Sequence, residues 1–154
     1  MLESKSVFLF GYSGHAFVII ESLLDAGYLI EGYFDLKQVK NNPYSLRYLG
    51  SENSLNVKST VGDCLVFPAI GDNFIRQKLL LLFEKLSLKQ FIVIDPSANI
   101  SKSATIGYST YIGKNVVVNA QSNIGNGVIL NTNCIVEHEC YIDDLAHIAP
   151  SWCL

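Results

Sequence analysis

The sequence predicts a small parallel α/β sheet followed by a parallel β-helix of triangular cross-section. Three observations carry this. From Ile94 onward an aliphatic residue recurs every six positions: Ile94, Ile100, Ile106, Ile112, Val118, Ile124, Leu130, Val136, Ile142 and Ile148. The fourth place after each is small or aliphatic, from Ala98 and Ala104 to Cys134, Cys140 and Ala146. Ahead of this array, short apolar runs end in glycine-bearing loops and alternate with helical patterns, as in a parallel sheet with crossover helices.

A period of six suits neither an α-helix nor an alternating strand. It suits a prism in which each hexad supplies one short strand and one corner, and three hexads complete a coil. The aliphatic residue points inward and the small residue leaves room for the corner. Gly107, Gly113 and Gly125 follow key aliphatics, and Gly, Asn or Asp at a corner accepts left-handed backbone. Stacked coils pair at about 4.8 Å per layer.

The first ninety-odd residues read as strand Val7–Phe10, helix 16–26 closed by Gly27, strand Ile30–Phe34, an irregular segment 37–60, strand Cys64–Ile70, helix Asn73–Leu86 and strand Gln90–Ile94. Phe17, Ile20, Leu23 and Leu24 share a face of the first helix, and Asp72 is placed to cap the second. Asp95-Pro96 marks the hand-over, giving domains 1–95 and 96–154.

Composition narrows the function. Of 154 residues, 49% are hydrophobic and 16% charged, with a net charge of −3 and no basic stripe. Nucleic acid is therefore not an expected partner. The polar start and the interrupted run at 7–10 match neither a signal peptide nor a membrane span. Cys64, Cys134, Cys140 and Cys153 form no CxxC pair and no metal spacing, which reads as reduced, cytoplasmic and metal-free.

Candidate chemistry gathers at strand ends and one corner. Gly11-Tyr-Ser-Gly-His15 lies between a strand and a helix, where backbone N–H groups and the helix N-terminus can meet a phosphate. Asp35 closes the next strand, where a carboxylate meets ribose hydroxyls. A tight turn and a solvated strand end explain the same residues. Gly71 and Asp72 end the third strand, a place for backbone contact or for capping alone. His138 beside Glu139 makes a competent general base, since the carboxylate orients the ring. A plain polar corner is the alternative, and His147 either lines the same groove or is exposed.

Gly-Tyr-Ser-Gly-His, Phe34-Asp35, Ala69-Ile-Gly-Asp-Asn73 with Arg76, Pro96-Ser-Ala98, and Asn131-Thr132 followed by Glu137-His-Glu139 together resemble the NeuD/PglD-type sugar acetyltransferases. The resemblance spans residues 6–150. It implies a Rossmann-like N-terminal domain on a left-handed parallel β-helix; the hand comes from the family, since right-handed crossovers are the rule elsewhere. It further implies acetyl transfer from acetyl-CoA, with no tightly bound cofactor, to a UDP-amino-sugar or a CMP-sialic acid or sialic acid acceptor in surface glycan synthesis. His138 becomes the base and Glu139 the residue that raises its basicity. His147 contacts acetyl-CoA. Ser13, Gly14, His15, Asp35, Leu36 and Gly71 bind the nucleotide-sugar. A homotrimer with the donor between subunits is also implied.

Ser151-Trp-Cys-Leu154 departs from the hexad, and family members continue for further coils. The expectation is a truncated member with feeble transfer, whose alternative function is nucleotide-sugar binding alone. An NAD(P)-linked oxidoreductase is a third reading, weakened by the missing third glycine of GxGxxG.

Overall fold

The computed structural model describes residues 5–154; the polar start at 1–4 lies outside the described residues. A parallel sheet comes first, built from β1 (Ser6–Phe10), β2 (Leu29–Phe34), β3 (Leu65–Pro68) and β4 (Lys89–Gln90) in the order β2-β1-β3-β4. Side chains alternate across it. Val7 and Leu9 pack on Ala16, Ile19, Ile20 and Leu23 of α1 (Gly14–Asp25). Phe8 and Phe10 pack with Leu79 and Phe83 of α3 (Asn73–Lys85). The two helices thus cover opposite faces.

The observed elements depart from expectation in two places. The segment read as irregular contains a short helix, α2 (Val57–Val61), whose Val57 and Val61 are both buried. The expected strand 90–94 is divided. Lys89–Gln90 pairs with β3, whereas β5 (Val93–Ile94) pairs with β8 (Tyr111–Ile112). The hand-over between sheet and solenoid therefore falls at Phe91-Ile92, ahead of Asp95-Pro96.

The solenoid continues through β6 (Asn99–Ile100), β7 (Thr105–Ile106), β9 (Val117–Val118), β10 (Asn123–Ile124), β11 (Ile129–Leu130), β12 (Ile135–Val136), β13 (Tyr141–Ile142) and β14 (His147–Ile148). These strands form three parallel ladders, β5-β8-β11-β14, β6-β9-β12 and β7-β10-β13. Of the hexad aliphatics, Ile112, Val118, Ile124, Leu130, Val136 and Ile142 are buried. Ile100, Ile106 and Ile148 are partly buried against them. Ile94, in the first coil, is 38% exposed because no coil lies beneath it.

Corners obey the same period. Ser109, Asn115, Gln121, Gly127, Asn133, Glu139, Leu145 and Ser151, six apart, all hold φ between 55° and 65°. Most are not glycine, so the glycines expected at corners have a different task. A Cβ on Gly107 would lie 2.6 Å from the Gly125 backbone, and one on Gly113 would lie 3.0 Å from the Leu130 carbonyl. They permit close stacking of coils.

The last four residues continue the coil, contrary to the hexad reading of the sequence. Ser151 takes the corner conformation, Cys153 bridges Ile135, and the Glu137 N–H donates to the Leu154 carbonyl at 3.0 Å.

One face of the prism is covered. Its outward ladder Val93, Tyr111 and Ile129 packs on α1 in a single core with the N-terminal sheet. Beneath this seam, Asp95 accepts from Ser22 Oγ at 2.6 Å and from Ser97 Oγ at 2.6 Å, and Lys114 lies 3.4 Å away. Burial alone would raise the Asp95 pKa, but those donors and the lysine charge outweigh it and hold it below the ordinary value.

Candidate functional site

Two loops of the N-terminal sheet and the last rung of the covered ladder converge. Gly11 ends β1 at φ +96°, and a Cβ there would collide with Ile70, so the residue must be glycine. The Gly11 N–H donates to the Phe34 carbonyl at 2.8 Å and the Tyr12 N–H to Asp35 Oδ2 at 3.0 Å. Asp35 thus ties the two strand ends together. Ser13 is the N-cap of α1, yet its hydroxyl makes no capping bond. Gly14 is exposed, with open space where a Cβ would stand. Asp72 Oδ1 accepts from the Ile75 N–H at 2.9 Å, as its capping position predicted.

His147 continues the ladder of Val93, Tyr111 and Ile129. Its Nδ1 donates to the Gly71 carbonyl at 3.2 Å, and its Nε2 accepts from Asn131 Nδ2 at 2.7 Å. The same amide nitrogen donates to the Ile148 carbonyl at 3.1 Å, which fixes its orientation. His15 lies 6.0 Å from His147 and edge-on to Tyr111 at 5.8 Å between ring centroids. Burial pushes the His15 pKa down to about 4, and the nearby His147 and Arg76 add to the shift. Its Nε2 is shielded and has no partner within the protein.

Arg76 of α3 holds the arrangement. It is 1% exposed, and burial lowers its pKa to about 10. Its Nε donates to the Gly127 carbonyl at 2.7 Å, and its two terminal nitrogens reach the carbonyls of Ile70, Gly71 and Leu145. The guanidinium therefore joins the β3 end to two stacked solenoid corners.

Ser13, Gly14, His15, Gly71 and His147 are brought to one place. Asp35 and Leu36 lie alongside, lining a cavity of about 70 Å³ with Gly11, Glu52, Ile70, Ile75 and Leu79. It adjoins a cleft of about 430 Å³ that shares Leu36, Glu52, Ile75 and Leu79. His147 also lines a shallow cleft of about 230 Å³ with Ile148, Ala149 and Trp152. A larger cleft of about 640 Å³ on the β7-β10-β13 face shares no lining residue with these.

His138 and Glu139 stand elsewhere. They occupy the corner between β12 and β13, which is the prism edge opposite the ladder that carries His147. Both are exposed, and His138 Nδ1 lies 2.9 Å from Glu139 Oε2. Within one chain they do not join the other predicted site residues. Cys134, by contrast, is a buried core residue whose thiol pKa burial raises to about 11. Among the described residues no group of three or more His, Cys, Asp or Glu could hold a metal ion. No helix among them is long and apolar enough to cross a membrane.

Sequence reasoning missed Glu52, because the 37–60 segment offered no pattern. It named Arg76 and Asn131 only within motifs. An arginine in the first turn after a strand end would have been the available signal.

Comparison with known proteins bears on this geometry. The PglD N-terminal domain family model matches residues 6–81. A variant of perosamine N-acetyltransferase from Caulobacter crescentus, solved with CoA and GDP-perosamine, is 31% identical, with TM-score 0.88 over 94% of this chain and 69% of its own. This chain belongs to the PglD-type sugar acetyltransferase family. The acetyltransferase domain of PglB from Neisseria gonorrhoeae, solved with acetyl coenzyme A, is 26% identical, with TM-score 0.83 over 96% of this chain and 71% of its own. WeeI from Acinetobacter baumannii, at 18% identity and TM-score 0.74 over 94% of this chain and 69% of its own, shares the fold. The architecture of this family member is accordingly a Rossmann-like sheet on a left-handed parallel β-helix.

Proposed function

We propose that this PglD-type chain moves the acetyl group of acetyl-CoA to the amine of a nucleotide-activated amino sugar. The observation that carries the chemistry is the His138–Glu139 pair. With Nδ1 donating to Glu139 at 2.9 Å, Nε2 remains as the proton acceptor. The acceptor nitrogen forms its bond to the acetyl carbonyl carbon while His138 takes the amine proton. Collapse of the tetrahedral species breaks the C–S bond, and the proton passes to the departing CoA thiolate. General-base help of this kind is typically worth about 10²–10⁴ in rate.

Ser13, Gly14, His15, Asp35, Leu36 and Gly71 bind the nucleotide-sugar in this reading. Its support is an open α1 N-terminus, which favours phosphate, together with the unpartnered His15 Nε2. His147 contacts the acetyl donor. Because His138 stands on the prism edge opposite His147, the working site needs His138 of one copy near the N-terminal domain of another. A homotrimer, with the donor between subunits, meets that need. The enzyme is cytoplasmic in this reading, where both substrates are available.

An NAD(P)-linked reading is weaker, because Gly11-Tyr-Ser-Gly-His15 lacks the third glycine of the dinucleotide fingerprint.

Thiol release from acetyl-CoA, measured with and without a panel of nucleotide-linked amino sugars, tests the proposal. Release that depends on an amino sugar supports it. Binding of such sugars without release would leave a binding protein.

A further inference from the structure

Glu52 lies between β2 and α2, and its Oε2 is shielded from solvent with no hydrogen-bond partner inside the protein. It lines both the 430 Å³ cleft and the 70 Å³ cavity beside Asp35. Leu36, Ile75 and Leu79 give these shared walls an apolar character. A shielded carboxylate oxygen without a donor is costly. An apolar cleft with an acceptor at its wall suits a nucleobase that presents N–H groups.

We infer that Glu52 reads guanine, and that the acceptor is a guanosine-diphosphate-linked sugar. Guanine carries N1–H and N2–H2 side by side, so both can donate to one carboxylate, and paired bonds to an ion are the strong kind. Uracil offers one N–H between two carbonyls, which would face the carboxylate unfavourably. Cytosine and adenine each place an acceptor nitrogen beside their amino group. The order along the site also fits. Glu52 is followed by Asp35 for the ribose, then by Ser13–His15 and Gly71 for the diphosphate and sugar, with His147 beyond. The inference rests on the nucleotide-sugar reading above and replaces its pyrimidine expectation.

Calorimetry on the whole chain with GDP, IDP, UDP and CDP decides it. GDP should bind about 10–100-fold more tightly than UDP or CDP. IDP lacks only the 2-amino group and should fall between GDP and the pyrimidine nucleotides. Glu52→Gln turns an amide N–H2 or a single oxygen toward the base, and should bring GDP to within about threefold of UDP. The IDP comparison uses the unaltered protein and so does not depend on how the variant folds. UDP or CDP binding as tightly as GDP would overturn the guanine assignment alone. Failure of all four nucleotides to bind would overturn both it and the nucleotide-sugar reading.

Discussion

Arg76 and Gly127 stand 51 positions apart in the chain, yet the guanidinium Nε donates to the Gly127 carbonyl at 2.7 Å. This bond, with that to Leu145, docks α3 on the solenoid corners. Arg76→Met should strand the carbonyls of Gly127, Ile70 and Leu145, while Gly71 keeps its bond from His147, and stranded buried groups cost about 1–3 kcal/mol each before relaxation. We expect a total loss of at least about 3 kcal/mol by urea denaturation. Arg76→Lys should recover only part of it, because one ammonium cannot span the fork.

Two glycines should behave in opposite ways. Gly107→Ala places a methyl 2.6 Å from the Gly125 backbone, so coil spacing must give, at about 1–3 kcal/mol. Gly14→Ala meets nothing within 4 Å, and alanine favours the helix. It should leave stability unchanged or slightly raised while weakening nucleotide-sugar binding. Thermal melts paired with titration separate the two effects.

Core position grades the hexads. Leu130→Ala empties a fully buried site and should cost about 2–5 kcal/mol. Ile94→Ala, at a site 38% exposed, should cost distinctly less. Equal losses in a denaturant series would contradict a core that thins at the first coil.

How far the sequence disclosed this molecule depends on how local each cause is. The six-residue period was legible because each coil repeats one steric demand, inward aliphatic and small neighbour. The corner phase was hidden: Glu139 and Leu145 adopt left-handed backbone without any residue type that favours it, because the coils on either side impose it. The loop at Gly11–His15 announced a strand end. Nothing local indicated that His15 would be shielded by Tyr111 and His147, which arrive from 96 and 132 positions later in the chain. The division of 90–94 was equally hidden, since both halves read as one apolar strand.

Acid should weaken the fold through His15. The unfolded chain protonates this imidazole near the ordinary 6.5, whereas the folded protein holds it unprotonated down to about 4. Between those values the unfolded state binds the extra proton, so stability falls as pH falls. The contribution is complete above about 6.5 and gone below about 4, and its size is at most about 3 kcal/mol. Urea midpoints from pH 7 to pH 4 should show a slope that His15→Gln flattens. Asp95, whose pKa lies below the ordinary value, adds a further loss at the acid end.

The last prediction concerns the corner that stands apart. His138→Ala should lower turnover by about 10²–10⁴ while leaving nucleotide-sugar affinity nearly unchanged, since the ring acts on the amine proton and not on binding. Glu139→Gln should cost less, because it keeps a partner for Nδ1 but removes the charge that supports the imidazolium, and turnover should shift to a less basic imidazole. Assembly supplies the decisive readout. If the site is shared between copies, mixing His138→Ala chains with chains altered at Ser13–His15 should restore part of the activity that neither has alone. Sedimentation should give a mass three times 17.0 kDa. A monomer with full activity would remove the need for a shared site, and unchanged turnover in His138→Ala would remove that histidine from the chemistry.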